Sequence, residues 1–335
     1  MAPVREGLPH RDARMDAIST NGLTKHYTLG FWRPRPYVAL DSLTLQVGQG
    51  EVFGFLGPNG AGKTTTLKLL LQLTFPTSGH AEILGRPVGD LSVRRRIGYL
   101  PEQPYFYDYL TAEELLDYFG GLFGLGATER KKRADALLEE VGIGGERRMP
   151  LGKFSKGMLQ RVGIAQALLN EPEVLFFDEP MSGLDPLGRR EIRQLILRLR
   201  DRGCTVFFSS HVLSDAEALC NRVAIMARGR LVTSGALSEL QHFQARGWEL
   251  IMAGVSESAL ERARTVGDVV KVTRLGQDRV SLELPLAPSP DRMLAELCAH
   301  GAQLISLTPV RESLEEFFVR EVAAAPGASR LDRAS

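Results

Sequence analysis

Apolar and polar positions follow two kinds of pattern along this chain. Residues 38–47 alternate between apolar and polar, which predicts a strand with one buried face. Residues 174–177 and 205–209 form unbroken apolar runs, as expected of strands buried on both faces of a parallel sheet. The chain from about residue 105 to residue 152 is helical in character. The pattern therefore predicts an α/β protein with a helical insert.

Helix starts are indicated by capping signals. Thr111 with Glu114 and Ser214 with Glu217 have the spacing of capping boxes, in which side chains and backbone N–H groups satisfy each other. Asp185 followed by a proline predicts an N-cap and first helical residue. We expect a helix to begin at each of these points.

The pattern changes after about residue 244. Short elements follow in the order strand, helix, strand, strand, helix, strand, at residues 248–252, 258–265, 269–273, 280–284, 291–299 and 303–307. This order is the split β-α-β arrangement of ferredoxin-like domains. We therefore predict a small α+β domain at residues 245–322, and we interpret residues 1–14 and 323–335 as a disordered leader and a disordered tail.

A glycine-rich loop between an apolar run and a leucine-rich run carries the strongest chemical signal. The loop comprises Gly57, Pro58, Asn59, Gly60, Ala61, Gly62, Lys63, Thr64 and Thr65. In a strand–loop–helix context, such a loop turns backbone N–H groups and a helix N-terminus toward a phosphate. We expect Lys63 to reach the β- and γ-phosphates of a nucleotide and the Thr64 hydroxyl to bind Mg²⁺. The alternative is a chance loop rich in glycine, which the fitting flanks disfavour.

Two carboxylates follow the apolar run at residues 174–177. Asp178 is placed to hold Mg²⁺, directly or through water, and Glu179 to orient and deprotonate an attacking water. Alone, a strand that ends in two acids could be an ordinary surface feature. Beside a phosphate loop, the pair indicates hydrolysis of a nucleoside triphosphate.

Composition limits the setting. The 335 residues exceed the usual size of one core, and the net charge of +1 gives no strong attraction to nucleic acid. The three cysteines have no metal-binding spacing and are typical of a reduced, cytoplasmic compartment. No apolar run is long enough to span a bilayer, and the N-terminus lacks the apolar core of a signal peptide.

Together the motifs resemble those of ABC-type nucleotide-binding subunits over roughly residues 17–240. Residues 154–158 (FSKGM) match the family's signature, residues 182–185 (SGLD) its D-loop, and residues 97–103 (IGYLPEQ) its Q-loop region. His211 matches the switch histidine and Tyr27 the aromatic residue that stacks on adenine. Lys156 and Met158 depart from the usual signature.

The resemblance implies roles for these residues. Ser155 and Gly157 of the signature would contact the γ-phosphate, and Asp185 belongs to the nucleotide-binding D-loop. His211 would hold the γ-phosphate and the attacking water in line. The usual Q-loop glutamine aligns with Glu102, and Gln103 follows it, so either could reach the metal.

The resemblance also implies partners. Two subunits would clamp two Mg·ATP molecules between the phosphate loop of one and the signature of the other, as a homodimer or heterodimer. A separate transmembrane permease would dock on the helical insert, and the chain would lie on the inner face of the cell membrane. The signature and the C-terminal domain resemble bacterial exporter subunits of the multidrug, antibiotic-resistance and gliding-motility group. The alternative is a soluble ABC ATPase that acts on DNA or ribosomes, which the near-neutral charge and single cassette disfavour.

We thus expect an ABC ATPase domain at residues 15–244, with an α/β P-loop fold, an antiparallel β subdomain and a helical insert at about 105–152. The small ferredoxin-like domain follows it.

Overall fold

The computed structural model describes residues 16–30, 34–241, 245–266, 269–276, 278–311 and 316. The chain divides into two compact units between Ala236 and Leu237. The predicted leader and tail lie outside the described residues, and the domain boundary predicted at residues 244 and 245 stays a prediction.

The first unit contains ten strands among the described residues. They are β1 (Asp16–Leu29), β2 (Arg35–Gly48), β3 (Val52–Leu56), β4 (Ser78–Ile83), β5 (Arg86–Pro87), β6 (Ile97–Leu100), β7 (Val174–Asp178), β8 (Thr205–Ser210), β9 (Arg222–Ala227) and β10 (Arg230–Ala236). Its helices are α1 (Lys63–Leu70), α2 (Leu91–Arg94), α3 (Ala112–Leu122), α4 (Ala127–Glu140), α5 (Lys156–Leu168), α6 (Pro186–Asp201) and α7 (Leu213–Leu219). A 3₁₀ turn spans Leu151–Lys153.

Two sheets organise this unit. The larger has six strands in the order β10-β9-β3-β8-β7-β6, and all its pairs are parallel except β9 with β10. The smaller is antiparallel, in the order β2-β1-β4-β5. The helices α3 and α4 form the insert. This arrangement confirms the predicted P-loop fold with an antiparallel subdomain and a helical insert.

The central strands of the larger sheet are buried at every position. This holds for β3, β7 and β8, whose unbroken apolar runs suit a strand covered on both faces by helices. Phe207 lies at the centre of the core, with ring centroids 5.1 Å from Phe55, 5.7 Å from Phe53 and 5.9 Å from Phe176. This aromatic cluster anchors the three strands to one another.

Two of the three predicted helix caps are confirmed. Thr111 accepts a hydrogen bond from the backbone N–H of Glu114 at 3.2 Å, and Glu114 accepts one from the N–H of Thr111 at 2.9 Å. Asp185 caps α6 ahead of a proline. The capping box predicted at Ser214 is wrong, because α7 begins one residue earlier, at Leu213, and its N-cap residue makes no side-chain hydrogen bond.

The second unit is a four-stranded antiparallel sheet with three helices among the described residues. Its elements are α8 (Leu237–Gln241), β11 (Ala245–Ala253), α9 (Glu257–Val266), β12 (Lys271–Arg274), β13 (Arg279–Pro285), α10 (Asp291–Ala299) and β14 (Gln303–Arg311). The strand order is β12-β13-β11-β14. It has its own apolar core, which includes Leu250, Leu282 and Leu297. The predicted ferredoxin-like topology is thereby confirmed.

Substitution of Phe207 by alanine should destabilise the first unit by about 3–5 kcal/mol, since it removes a buried ring and leaves a cavity among three others. Denaturant unfolding measures the change in free energy. Phe75→Ala is the control, because that ring is 68% exposed and its loss should change the free energy of unfolding little. An equal effect of both substitutions would contradict the packing described here.

Candidate functional site

A cavity of about 330 Å³ opens where the phosphate loop meets the carboxyl ends of β7 and β8. Its lining comprises Tyr37, Ala39, Pro58, Asn59, Gly60, Ala61, Gly62, Lys63, Thr64, Thr65, Glu102, Glu179, Ser182 and His211. The parallel register explains this convergence, because Leu56 of β3 lies beside Ser210 of β8, and Asp178 of β7 lies beside Ser209. Residues distant in sequence therefore meet at one edge of the sheet.

Glycine is required at both ends of the phosphate loop. Gly62 has φ of 103°, and a Cβ there would lie 2.6 Å from the carbonyl oxygen of Ala39. A Cβ at Gly57 would lie 2.6 Å from the carbonyl oxygen of Met226. The N–H of Gly57 donates to the carbonyl of Ser210 at 3.2 Å, which ties the loop to β8. The loop is thus held against the sheet with its open side toward the cavity.

The first turn of α1 carries no side-chain cap. Its N-cap residue is Gly62, and no acidic side chain lies in the first turn. The first N–H groups of a helix have no partner within the helix, and its N-terminus has a partial positive charge. This end of α1 therefore suits a phosphate group.

Lys63 is buried and turned back onto its own loop. Its Nζ donates to the carbonyl oxygen of Gly57 at 2.7 Å and to that of Pro58 at 3.3 Å. It also forms an ion pair with Oε1 of Glu179 at 3.3 Å, and both side chains are less than a tenth exposed. The predicted phosphate ligand and the predicted general base are thus direct neighbours.

Glu179 has a second side-chain partner in His211 and a backbone hydrogen bond to Ser209. Its Oε2 lies 2.9 Å from Nδ1 of His211. Its backbone has φ of 49°, a value that L residues seldom adopt, and its N–H donates to Ser209. The carboxylate therefore lies between a lysine and a histidine, in position to exchange a proton with a water in the cavity.

Asp178 precedes Glu179 at the end of β7 and is also buried. The hydroxyl of Ser209 donates to its Oδ1 at 2.5 Å. Burial raises the pKa of Asp178, and hydrogen bonds from Ser209 and Thr64 oppose that rise. Burial and the charge of Asp178 together raise the pKa of Tyr99 to about 12, so this phenol stays protonated at neutral pH.

The oxygen atoms of Asp178 and Thr64 suit a hard cation. Mg²⁺ prefers oxygen ligands and usually takes only one or two from the protein when it binds with phosphates. Within the described ranges, no group of three or more His, Cys, Asp or Glu side chains is arranged to hold a metal. The donor set therefore fits Mg²⁺ bound together with a nucleotide and does not form a cage of its own.

The Q-loop candidates separate in the structure. Glu102 lines the cavity. Gln103 is outside the lining, and its Oε1 accepts a hydrogen bond from the hydroxyl of Tyr105 at 3.3 Å. Glu102 is thus the Q-loop candidate that lines the cavity, and the contact of either residue with a metal stays a prediction.

The structure presents a second tyrosine beside the predicted one. Tyr27 on β1 pairs across the sheet with Tyr37 on β2, and Nζ of Lys25 lies 5.0 Å from the centre of the Tyr27 ring. Tyr37, 44% exposed, lines the cavity, whereas Tyr27 does not. Stacking of adenine on Tyr27 stays a prediction.

The signature lies in a different cavity of the same chain. Ser155 caps α5 and accepts a hydrogen bond from the N–H of Met158. With Gly157 and Asp185 it lines a cavity of about 280 Å³. Asp185 accepts a hydrogen bond from the N–H of Gly188 at 2.9 Å. The phosphate loop and the signature therefore line separate cavities of one chain.

Sequence analysis missed four residues near the site. Tyr37 and Ser182 line the cavity, Ser209 binds the Asp178 carboxylate and the backbone N–H of Glu179, and Asp215 is a buried acid on α7. Tyr37 directly precedes the alternating residues 38–47, and Ser182 belongs to the SGLD motif. No sequence signal marks Ser209 or Asp215. Strand register brings Ser209 beside Asp178, and only the folded structure shows that Asp215 is buried.

A phosphate loop at the end of a central strand, with an acid pair on a parallel strand of the same sheet, defines a P-loop nucleoside triphosphatase. A family model described as ABC transporter matches residues 40–182. An ABC transporter ATP-binding protein of Synechocystis sp. is 44% identical to this chain. The match covers 92% of this chain and 85% of that protein. The bacitracin transport ATP-binding protein BcrA of Bacillus licheniformis is 37% identical, over 90% and 96% of the two chains.

A solved structure agrees with these relatives. A dimeric ATP-binding cassette in a post-hydrolysis state, bound to ADP and Pi, is 28% identical, with a TM-score of 0.61 over 66% of this chain and 98% of that one. This chain belongs to the ABC transporter ATP-binding proteins. It is an ATPase, and the resemblance predicted from the motifs is confirmed. No helix in the part of the chain that the structure describes is long and apolar enough to cross a membrane.

Asp215→Asn should stabilise the protein at neutral pH. Asp215 is 2% exposed, and its burial raises its pKa above the 3.8 of an exposed aspartate, although Arg189 and Arg193 oppose the rise. A raised carboxylate pKa means that ionisation costs folding free energy above the folded pKa. The gain from asparagine should shrink as the pH falls through that value and vanish near 3.8.

Thermal unfolding of the parent and the variant across a pH range of about 4 to 8 measures this difference. Glu217→Gln is the control, because Glu217 is an exposed carboxylate on the same helix. A stabilisation by Asp215→Asn that does not depend on pH would contradict the assignment to ionisation.

Proposed function

We propose that this chain is the ATP-hydrolysing subunit of an exporter and works as a dimer through a separate transmembrane permease. The observation that carries the proposal is the separation of the phosphate loop and the signature into two cavities of one chain. A second copy placed head to tail would complete both sites with two-fold symmetry. The dimeric cassette bound to ADP and Pi supports this arrangement.

Binding begins at the phosphate loop. The loop N–H groups and the N-terminus of α1 receive the phosphates, and Lys63 contacts the β- and γ-phosphates. Tyr27 stacks on adenine, with Tyr37 beside it. Thr64 and Asp178 would hold Mg²⁺ together with the nucleotide, and Glu102 of the Q-loop would add a further oxygen ligand. When bound, Mg²⁺ offsets the negative charge of the phosphate oxygens.

The γ-phosphate changes the partners of Lys63. Without it, Lys63 pairs with Glu179 at 3.3 Å. Phosphate oxygens that bind the same ammonium compete with this carboxylate. Glu179 then keeps its contact with His211 and accepts a proton from the attacking water. His211 holds that water and the γ-phosphate in line, and Lys63 stabilises the charge that develops on the phosphate.

The dimer closes on ATP and opens after hydrolysis. Ser155 and Gly157 of one subunit contact the γ-phosphate bound by the other, and Asp185 lies beside them. Loss of the γ-phosphate removes the bridge between the subunits. This cycle supplies mechanical work to the permease.

The helical insert offers a surface for that permease. Tyr105, Tyr107 and Tyr109 precede α3 and are 90%, 63% and 74% exposed. Aromatic side chains are enriched at protein interfaces, and their exposure here is unusual for a loop. Docking at this surface places the subunit on the inner face of the cell membrane. BcrA is named for bacitracin transport, which supports an antibiotic exporter as the class.

Glu179→Gln should bind ATP as the parent does and hydrolyse it about 10²–10⁴-fold more slowly, since it lacks the general base. Dimers should accumulate with Mg·ATP, as measured by light scattering alongside phosphate release. Glu171→Gln is a matched control, because Glu171 also has a positive φ (52°) but an exposed side chain. Rapid turnover by Glu179→Gln would refute the proposed role of Glu179.

Two inactive variants should complement each other. Lys63→Ala removes the phosphate ligand, and Ser155→Ala removes the signature hydroxyl. In the homodimer of either variant, both sites are therefore defective. In a head-to-tail heterodimer both defects fall in one site and the other site is intact, so an equal mixture should recover about a quarter of the parental sites. Phosphate release from the mixture and from each variant alone measures this. If mixing restores no activity, the head-to-tail arrangement is wrong.

A further inference from the structure

We propose that Ser209 is a positioning residue for ATP hydrolysis, because its single hydroxyl binds both the carboxylate of Asp178 and the backbone N–H of Glu179. Ser209 has no exposed surface. Its Oγ donates to Oδ1 of Asp178 at 2.5 Å and accepts a hydrogen bond from the N–H of Glu179 at 3.1 Å. The inference rests on the proposed roles of these two acids.

The hydroxyl fixes the orientation of Asp178. Hydrogen bonds to the Asp178 carboxylate come from the side chains of Ser209 and Thr64. A metal bound to the Thr64 hydroxyl would take an oxygen lone pair and leave its proton available to Asp178. Ser209 is the other side-chain donor that the structure describes for this carboxylate, and it has no metal to bind. It occupies Oδ1 and thereby restricts rotation of the carboxylate.

The same hydroxyl supports the backbone of Glu179. The N–H of Glu179 is shared between the Oγ of Ser209 and its carbonyl oxygen, at 3.1 and 3.2 Å. Glu179 has φ of 49°, which needs support from its surroundings. Two bonds from one residue of β8 hold this turn of the chain. The side chain of Glu179 thereby stays directed at Lys63 and His211.

The location of Ser209 explains why it can serve both acids. It is the register partner of Asp178 in the pairing of β7 with β8. The next residue of the strand, Ser210, binds the phosphate loop through its carbonyl oxygen. The end of β8 therefore connects the metal ligand, the base and the phosphate loop.

Steady-state hydrolysis of ATP by Ser209→Ala tests the proposal. We expect kcat to fall about ten- to a hundredfold, the range for loss of one hydrogen bond to a charged group, with KM for ATP within about twofold of the parent. More Mg²⁺ should be needed for half-maximal rate. Ser209→Thr, which restores a hydroxyl, should recover most of kcat.

Thr205→Val is the matched control. Thr205 lies on the same strand at its other end, is 1% exposed, and its hydroxyl accepts a hydrogen bond from the N–H of Gly50 at 2.9 Å. Its substitution should lower the melting temperature and leave kcat and the Mg²⁺ requirement unchanged. A purely structural role for Ser209 predicts the same outcome for both variants.

Parental kcat and Mg²⁺ dependence in Ser209→Ala would overturn the proposal, as would an equal loss in Thr205→Val. Since the parent hydrolyses ATP in the same assay, this failure is distinct from failure of the proposed function. If Ser209→Ala does not fold, Ser209→Cys, which keeps the volume and weakens the donor, is measured against the same two outcomes.

Discussion

The parallel pairing of three buried strands determines the chemistry of this protein. Backbone hydrogen bonds set β7 beside β8 and β8 beside β3, so their carboxyl ends share one edge. The acid pair, the histidine and the phosphate loop each follow one of these ends. A shift of one residue in this register would turn Asp178 from its partner Ser209 and reverse the faces of the strand.

Burial gives the site its electrostatic character. Lys63 and Glu179 are both less than a tenth exposed, and water screens their attraction only weakly. Asp178 is also buried, and its ionisation depends on neighbouring donors. The site is thus a set of mutually dependent charges, and in the proposed function a phosphate group would replace Glu179 as the partner of Lys63.

Much of the fold followed from sequence because local pattern and local chemistry agree. Buried strands appeared as unbroken apolar runs, and the capping residues Thr111 and Asp185 mark real helix starts. Ser214 failed because spacing alone does not decide where a helix begins. Ser209 and Tyr37 were missed because their importance depends on strand register and on which tyrosine of a cross-strand pair faces the cavity. Such pairings are tertiary facts that short motifs do not contain.

The ion pair between Lys63 and Glu179 bears on the energetics of ligand binding. The Lys63 side chain is already withdrawn from water, since it is 7% exposed and its ammonium has protein oxygens as partners. An anionic ligand that took this lysine would exchange one buried partner for another and would not have to dehydrate an exposed ammonium. The desolvation of Lys63 is therefore a cost of folding and not of association.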